Sequence, residues 1–226
     1  MIAAQPALDR LAGRRVTVAG ANREAAYVDD DGFVAVLTTA PPQLPNGVQV
    51  RRLPAVGETV IVGGEPWDPT LRLSANPAAL GDQILAATGS ADLEVAGGDL
   101  AALTRAVERR DPEHAAAAGA ALIGRGPGLT PEGDDLVAGA AAVLAASGAG
   151  DLAAALLGTD LRARTTSLSA TLLELAARGM GPEPLQALLA GDPDALARLL
   201  RLGHSTGRAY ATGAALGLLA NVNGAG

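Results

Sequence analysis

Short β-branched runs separated by turn residues dominate the first part of the chain. The runs that predict strands are Arg15–Ala19, Ala26–Val28, Phe33–Leu37, Val48–Arg51 and Thr59–Val62. Glycines such as Gly32 and Gly57 mark turns between them. Four or five short strands at this spacing predict a small antiparallel β domain, a barrel or a sandwich.

From Pro77 onward the pattern changes to Ala and Leu at helical spacing. Two prolines bracket Trp67 in the segment 63–70, which disfavours both helix and central strand there. We therefore expect an α+β protein with a β-barrel or sandwich-like domain over 1–70 and an α-helical domain over 71–226. Helices are predicted near 78–88, 99–110, 113–123, 134–147, 151–158, 168–179, 183–190, 193–202 and 206–220.

The composition excludes several kinds of catalytic and metal-binding chemistry. The 226 residues include no cysteine, which excludes disulfides, thiolate catalysis and cysteine-ligated metal centres. All 17 basic residues are arginine, so a lysine-dependent phosphate loop and a Schiff-base lysine are also excluded. Two histidines are too few for a three-histidine metal site.

Net charge and hydrophobicity bear on partners and location. A formal charge of −7 argues against binding to DNA or to anionic membranes. Four aromatic residues are too few for binding single-stranded nucleic acid by base stacking. The longest apolar stretch, Leu136–Gly150, is shorter than the roughly 20 residues of a membrane span. Residues Met1–Arg15 contain no apolar core of a signal peptide. These features predict a soluble cytoplasmic protein with no membrane or nucleic-acid partner.

The segment 124–135 is the strongest candidate for a binding site. Four glycines and two prolines precede Asp134 and Asp135, at the predicted start of a helix. Such a loop exposes backbone N–H groups to an anion, and one aspartate can cap the helix while the other faces the loop. The pair suits Mg²⁺ together with a phosphate. The candidate anion ligands are Arg125, Gly126, Gly128, Thr130 and Gly133. The alternative is a plain connection between two helices.

Two later segments are also rich in polar residues. Thr165, Thr166 and Ser167 precede a helix; Thr166 or Ser167 can cap it, and the surplus hydroxyls predict anion binding at its N-terminus.

The segment 203–213 includes Ser205 as a predicted helix cap and Arg208 as a candidate anion ligand. His204 is either a structural residue, a base or an anion contact. The predicted helix has one small, polar face, which suits close packing against the helix of Gly139 or a polar pocket: Thr206, Tyr210, Gly213 and Gly217.

Taken together, these segments resemble a known family. Gly126–Asp135 with Leu136–Gly139, then Thr165–Ser169 and Gly203–Gly207, are similar to the motifs of a bacterial family long described as a domain of unknown function. The family includes a subunit of the oxamate carbamoyltransferase complex, which interconverts oxamate plus carbamoyl phosphate with carbamoyl-oxamate plus phosphate.

The resemblance implies a small anionic substrate, carbamoyl phosphate or an oxamate-like carboxylate, and a hetero-complex with other subunits. Asp134, Asp135 and His204 are then the candidate catalytic residues, with Asp134 and Asp135 as Mg²⁺ ligands. No organic cofactor is predicted. Two alternatives stay open: a non-catalytic scaffold subunit, and a stand-alone protein that binds or hydrolyses a small carboxylate or amide.

Overall fold

The computed structural model describes residues 1–41, 43–73, 76–89, 93, 95 and 97–220. The chain divides into two compact units, Met1–Pro69 and Thr70–Gly226. The first unit contains the strands and the second contains helices, so the α+β class predicted from the sequence is confirmed.

The first unit is a seven-stranded sheet with one short helix, α1 (Gln5–Leu11). Its strands lie in the order β6-β2-β3-β4-β5-β1-β7. Their bounds are β1 (Ile2–Ala4), β2 (Arg15–Ala21), β3 (Ala26–Asp30), β4 (Phe33–Thr38), β5 (Gly47–Gln49), β6 (Thr59–Ile61) and β7 (Glu65–Trp67).

The prediction of an antiparallel sheet is only partly right, because this sheet is mixed. β2 pairs antiparallel with β3 and β6, and β3 pairs antiparallel with β4. β5, however, runs parallel to β4, with Leu37 opposite Val48, since no tight hairpin turn joins them. β1 then lies between β5 and β7 and is parallel to β7. β1 and β7 were not predicted: unlike β5 and β6, they contain no β-branched run, and β7 includes a proline.

The core of the first unit forms where the inward residues of the strands meet α1. Ala7 and Leu11 of α1 are fully buried with Val28, Leu37 and other small side chains of the sheet. Pro66 lies in β7 at an edge of the sheet, where a residue without an N–H is tolerated.

The second unit is helical. Its helices are α2 (Pro77–Thr88), α3 (Gly97–Arg109), α4 (Pro112–Leu122), α5 (Glu132–Ala146), α6 (Gly150–Leu157), α7 (Leu161–Arg164), α8 (Ser167–Ala176), α9 (Glu183–Leu189), α10 (Ala195–Leu200) and α11 (Thr206–Ala220). Each predicted helix is present within about three residues of its predicted bounds; α7 was not predicted. In the part of the chain that the structure describes, no helix combines the length and the hydrophobicity that a membrane span requires.

α5 is the central helix of this unit, and every residue from Glu132 to Leu144 is buried. It packs against α4, α6, α8 and α11. The contact with α11 is close because glycines lie at the crossing. A Cβ added at Gly139 would lie 2.1 Å from the Tyr210 carbonyl oxygen, and one at Gly213 would lie 1.9 Å from the Leu136 carbonyl oxygen. The predicted small face of α11 therefore serves close helix packing.

Candidate functional site

The predicted segments meet at the N-terminal end of α5. The hydroxyl of Thr165 donates a hydrogen bond to Oδ2 of Asp134. Thr166 donates to the carbonyl of Leu129 at 2.5 Å, and the Thr130 and Thr206 hydroxyls are 3.1 Å apart. Residues distant in sequence therefore surround one turn of α5.

The glycine-rich loop, residues 124–131, approaches other backbone segments closely. Gly124 has φ +84°, and a Cβ there would lie 2.3 Å from the Arg164 carbonyl oxygen. Gly126 has φ +109°, and a Cβ there would lie 2.9 Å from the Glu132 nitrogen. Both positions require glycine for conformation and for space. The loop itself is exposed from Gly124 to Leu129, which includes Gly128.

α5 begins without the expected aspartate cap. Pro131 is its N-cap residue, and no side chain caps the helix there. Asp134 and Asp135 lie instead within the first turn, where the partial positive charge of the helix N-terminus favours acidic side chains. Gly133 lies beside them, and its amide donates to the Arg125 carbonyl at 2.9 Å.

Asp134 is a buried carboxylate with both oxygens in use. Its Oδ1 accepts a hydrogen bond from the Gly124 amide at 2.6 Å, and its Oδ2 accepts the Thr165 hydroxyl. Asp134 therefore fastens the start of the glycine-rich loop and the segment before α8 to α5.

Asp135 is also buried, but only one of its two carboxyl oxygens is hydrogen-bonded. It is 3% exposed, and its Oδ2 has no hydrogen-bond partner. Burial raises the pKa of Asp135 well above its usual range; hydrogen bonds from the Thr206 and Thr130 hydroxyls oppose this, and the charge of Asp134 adds to it.

Glu132 is a third buried acidic residue, to which the sequence analysis assigned no role. Its Oε1 accepts a hydrogen bond from the Val95 amide at 2.9 Å, whereas its Oε2 is buried without a partner. A sequence signal was present, because an acidic residue three positions before Asp135 shares its helix face.

The hydroxyls before α8 are largely engaged within the protein. Thr166 is the N-cap of α8, as predicted, and accepts the Ser169 amide at 3.1 Å. Because the Thr165 and Thr166 hydroxyls hold Asp134 and the loop, an anion would have to compete with these bonds. Ser167 is exposed at the first position of α8.

The remaining candidates lie around this centre. Arg125 is exposed, and its Nε donates to the Ala121 carbonyl at 3.1 Å. His204 is exposed and Ser205 is half-buried just before α11. Arg208, on the first turns of α11, donates to the Thr88 carbonyl at 2.8 Å.

The arrangement offers buried oxygen acceptors rather than a ready-made metal centre. Among the described residues, no group of three or more His, Asp or Glu side chains is placed to hold a metal ion. A cation here would therefore take fewer protein ligands and complete its coordination with water or substrate oxygens, as Mg²⁺ commonly does.

Fold and site define an α+β protein whose helical unit carries buried carboxylates at the start of a central helix, under a glycine-rich loop. The model of the family described as oxamate carbamoyltransferase subunit AllH matches residues 122–218. This match confirms the predicted family resemblance for the part of the chain that contains all three motifs. Comparisons with curated proteins and with solved structures found no match.

Proposed function

We propose that this protein is a subunit of an oxamate-carbamoyltransferase-like complex and binds a small anionic substrate at the glycine-rich loop. The family match supports the first half of the proposal. The unpartnered, buried Oδ2 of Asp135, at the point where the three motifs meet, carries the second half.

Asp135 is chemically suited to the carbamoyl group that oxamate and carbamoyl phosphate share. Its unpartnered Oδ2 can accept a hydrogen bond from the NH₂ of that group. Hydrogen bonds from the Thr206 and Thr130 hydroxyls hold the carboxyl group in place for this contact.

The anionic end of the substrate would bind toward the exposed loop. Gly126 and Gly128 allow a ligand to approach the loop backbone closely, and Arg125 supplies positive charge beside it. Gly133, which was also a candidate anion ligand, is buried in α5 against the Leu122 carbonyl. Ser167, at the N-terminus of α8, offers a hydroxyl and the partial charge of the helix. Because Asp135 is covered, the loop must open for the substrate to enter.

Further residues complete the proposed site. Thr130 and Thr206 hold the Asp135 carboxyl, Thr165 holds Asp134, and Thr166 holds the loop. His204 and Ser205, just before α11, and Arg208, on its first turns, would supply a proton carrier and contacts to a carboxylate. Stabilisation of the leaving phosphate by such groups would provide most of the catalysis.

Calorimetric titration of the purified chain tests this proposal. Oxamate and carbamoyl phosphate are titrated separately in the presence of a chelator, into wild type, Asp135→Asn and the control Asp151→Asn. Asp151 is exposed in the first turn of α6. We expect binding to wild type and Asp151→Asn, and at least tenfold weaker binding to Asp135→Asn.

Binding of neither ligand to wild type would contradict a substrate site on this chain and favour the scaffold alternative. Equal binding by Asp135→Asn would refute the assignment of Asp135. Circular dichroism of each variant verifies that the helical unit is folded.

A further inference from the structure

Two of the three buried acidic residues of α5 present an oxygen without a partner. These oxygens are Oε2 of Glu132 and Oδ2 of Asp135. Their residues are 2% and 3% exposed, respectively. Residues three apart on a helix are surface neighbours, with Cβ atoms roughly 5–6 Å apart. The two carboxyl groups therefore share one face of the first turn of α5.

Asp134 does not belong to this pair, although it adjoins Asp135 in the sequence. Its two oxygens accept the Gly124 amide and the Thr165 hydroxyl. A ligand that used Asp134 would have to break a hydrogen bond that holds the loop or the start of α8. A ligand that bound Oε2 of Glu132 and Oδ2 of Asp135 would break no hydrogen bond at either oxygen.

Buried carboxylates require compensating positive charge. None of the ion pairs formed between described residues includes Glu132, Asp134 or Asp135. The N-terminus of α5 supplies only about half an elementary charge. The two unpartnered oxygens mark where further positive charge would be accepted.

We propose that Glu132 and Asp135, through Oε2 and Oδ2, bind a divalent cation of the Mg²⁺ class. Two carboxylates leave the remaining coordination positions to water or to substrate oxygens, which suits an ion that binds phosphate-bearing ligands. The Val95 amide holds Oε1 of Glu132, which leaves Oε2 available to the ion. A carboxylate oxygen has two acceptor sites, so the ion and the substrate NH₂ of the proposed function can both contact Oδ2 of Asp135. The role of the ion in turnover rests on the proposed function, but its binding to the free chain does not.

Manganese(II) is the probe, because its electron paramagnetic resonance signal distinguishes free from bound ion. The purified, chelator-treated chain is titrated with Mn²⁺ in the absence of any substrate, and Mg²⁺ is then added as a competitor. We expect binding by wild type and displacement by Mg²⁺. Glu132→Gln and Asp135→Asn should each weaken Mn²⁺ binding at least tenfold.

Matched controls separate this site from surface charge. Glu113→Gln and Asp151→Asn remove exposed acidic residues from the first turns of α4 and α6 and should bind Mn²⁺ as wild type does. Failure of wild type to bind Mn²⁺, or wild-type binding by Glu132→Gln, would overturn the proposal.

The metal titration and the anion titration fail independently. Mn²⁺ binding without any response to oxamate or carbamoyl phosphate would support the cation site and contradict the proposed function. Binding of an anion in the presence of chelator, together with no binding of Mn²⁺, would support the proposed function and contradict the cation site.

Discussion

Thr165 donates its hydroxyl hydrogen to Asp134, a residue 31 positions earlier in the chain. The bond joins the segment before α8 to the first turn of α5. A buried acceptor that loses its donor costs about 1–3 kcal/mol. Its effect on stability can therefore be measured separately from any effect on ligand binding.

Replacing Thr165 by valine keeps the shape of the side chain and removes the donor. We expect Thr165→Val to lower the free energy of unfolding by about 2 kcal/mol, which corresponds to roughly 4–8 °C in Tm for a unit of this size. Thr165→Ser retains the hydroxyl and should lose less than half as much. Thermal unfolding followed by circular dichroism measures the Tm of both variants. An equal decrease in Tm for the two would contradict a role for the hydroxyl.

The glycines between α5 and α11 give a second prediction. An alanine at Gly139 or Gly213 places its Cβ within 2.1 Å or 1.9 Å of a carbonyl oxygen of the facing helix. The helices must then separate, so we expect each variant to lose more than about 2 kcal/mol in denaturant unfolding. At Gly150, the start of α6, an added Cβ meets nothing within 4 Å, and Gly150→Ala should be neutral or slightly stabilising.

Asp135 predicts a stability difference that depends on pH. Its pKa is raised in the folded state, so its favourable contribution is present below the unfolded pKa, near 4, and is lost as pH rises. In metal-free protein, Asp135→Asn avoids this loss. The Tm of the variant relative to wild type should therefore increase from pH 5 to pH 8. No such change is expected for Asp151→Asn, and a constant difference for Asp135→Asn would contradict the prediction.

Asp30 gives the opposite pH dependence in the first unit. Hydrogen bonds from Arg14, at 2.7 and 2.8 Å, are the largest cause of a lowered pKa of Asp30; burial opposes them, and Arg10 contributes further. Its stabilisation is present above pH 4 and is lost as pH falls through the lowered value. At pH 7 we expect Asp30→Asn to cost about 1 kcal/mol, the upper range for an exposed ion pair.

Trp67 reports this effect, because it is the single tryptophan and lies in the first unit. Its fluorescence during urea unfolding should distinguish Asp30→Asn from wild type at pH 7, and the difference between the two curves should shrink as the pH falls below 4. Glu24→Gln, which removes an exposed acidic residue of the first unit, is the control. A difference that does not shrink as the pH falls would exclude a contribution from the ionised carboxylate.

The helical unit was largely predictable, because its signals are local. Amphipathic periodicity and breaks such as Asp111–Pro112 define helices without reference to the rest of the chain. β1 depends instead on pairing with β5 and β7, and α7 is only four residues long. Neither leaves a local pattern long enough to detect.

The site was predictable as a set of segments but not as a set of contacts. The motifs indicated that Asp134 and Asp135 belong to one site. Only the tertiary structure distinguishes them, since the partners of Asp134 come from Gly124 and Thr165. Glu132 was assigned no role from the sequence, since its hydrogen-bond partner, the Val95 amide, lies 37 residues away.

The α5–α11 crossing also limits which sequences can adopt this fold. Where an added methyl group meets backbone oxygen within about 2 Å, repacking of side chains cannot relieve the clash. Positions 139 and 213 are therefore closed to substitution in any library built to alter substrate preference. Leu129, which is exposed in the loop, is where such a library can vary the surface that a ligand meets first.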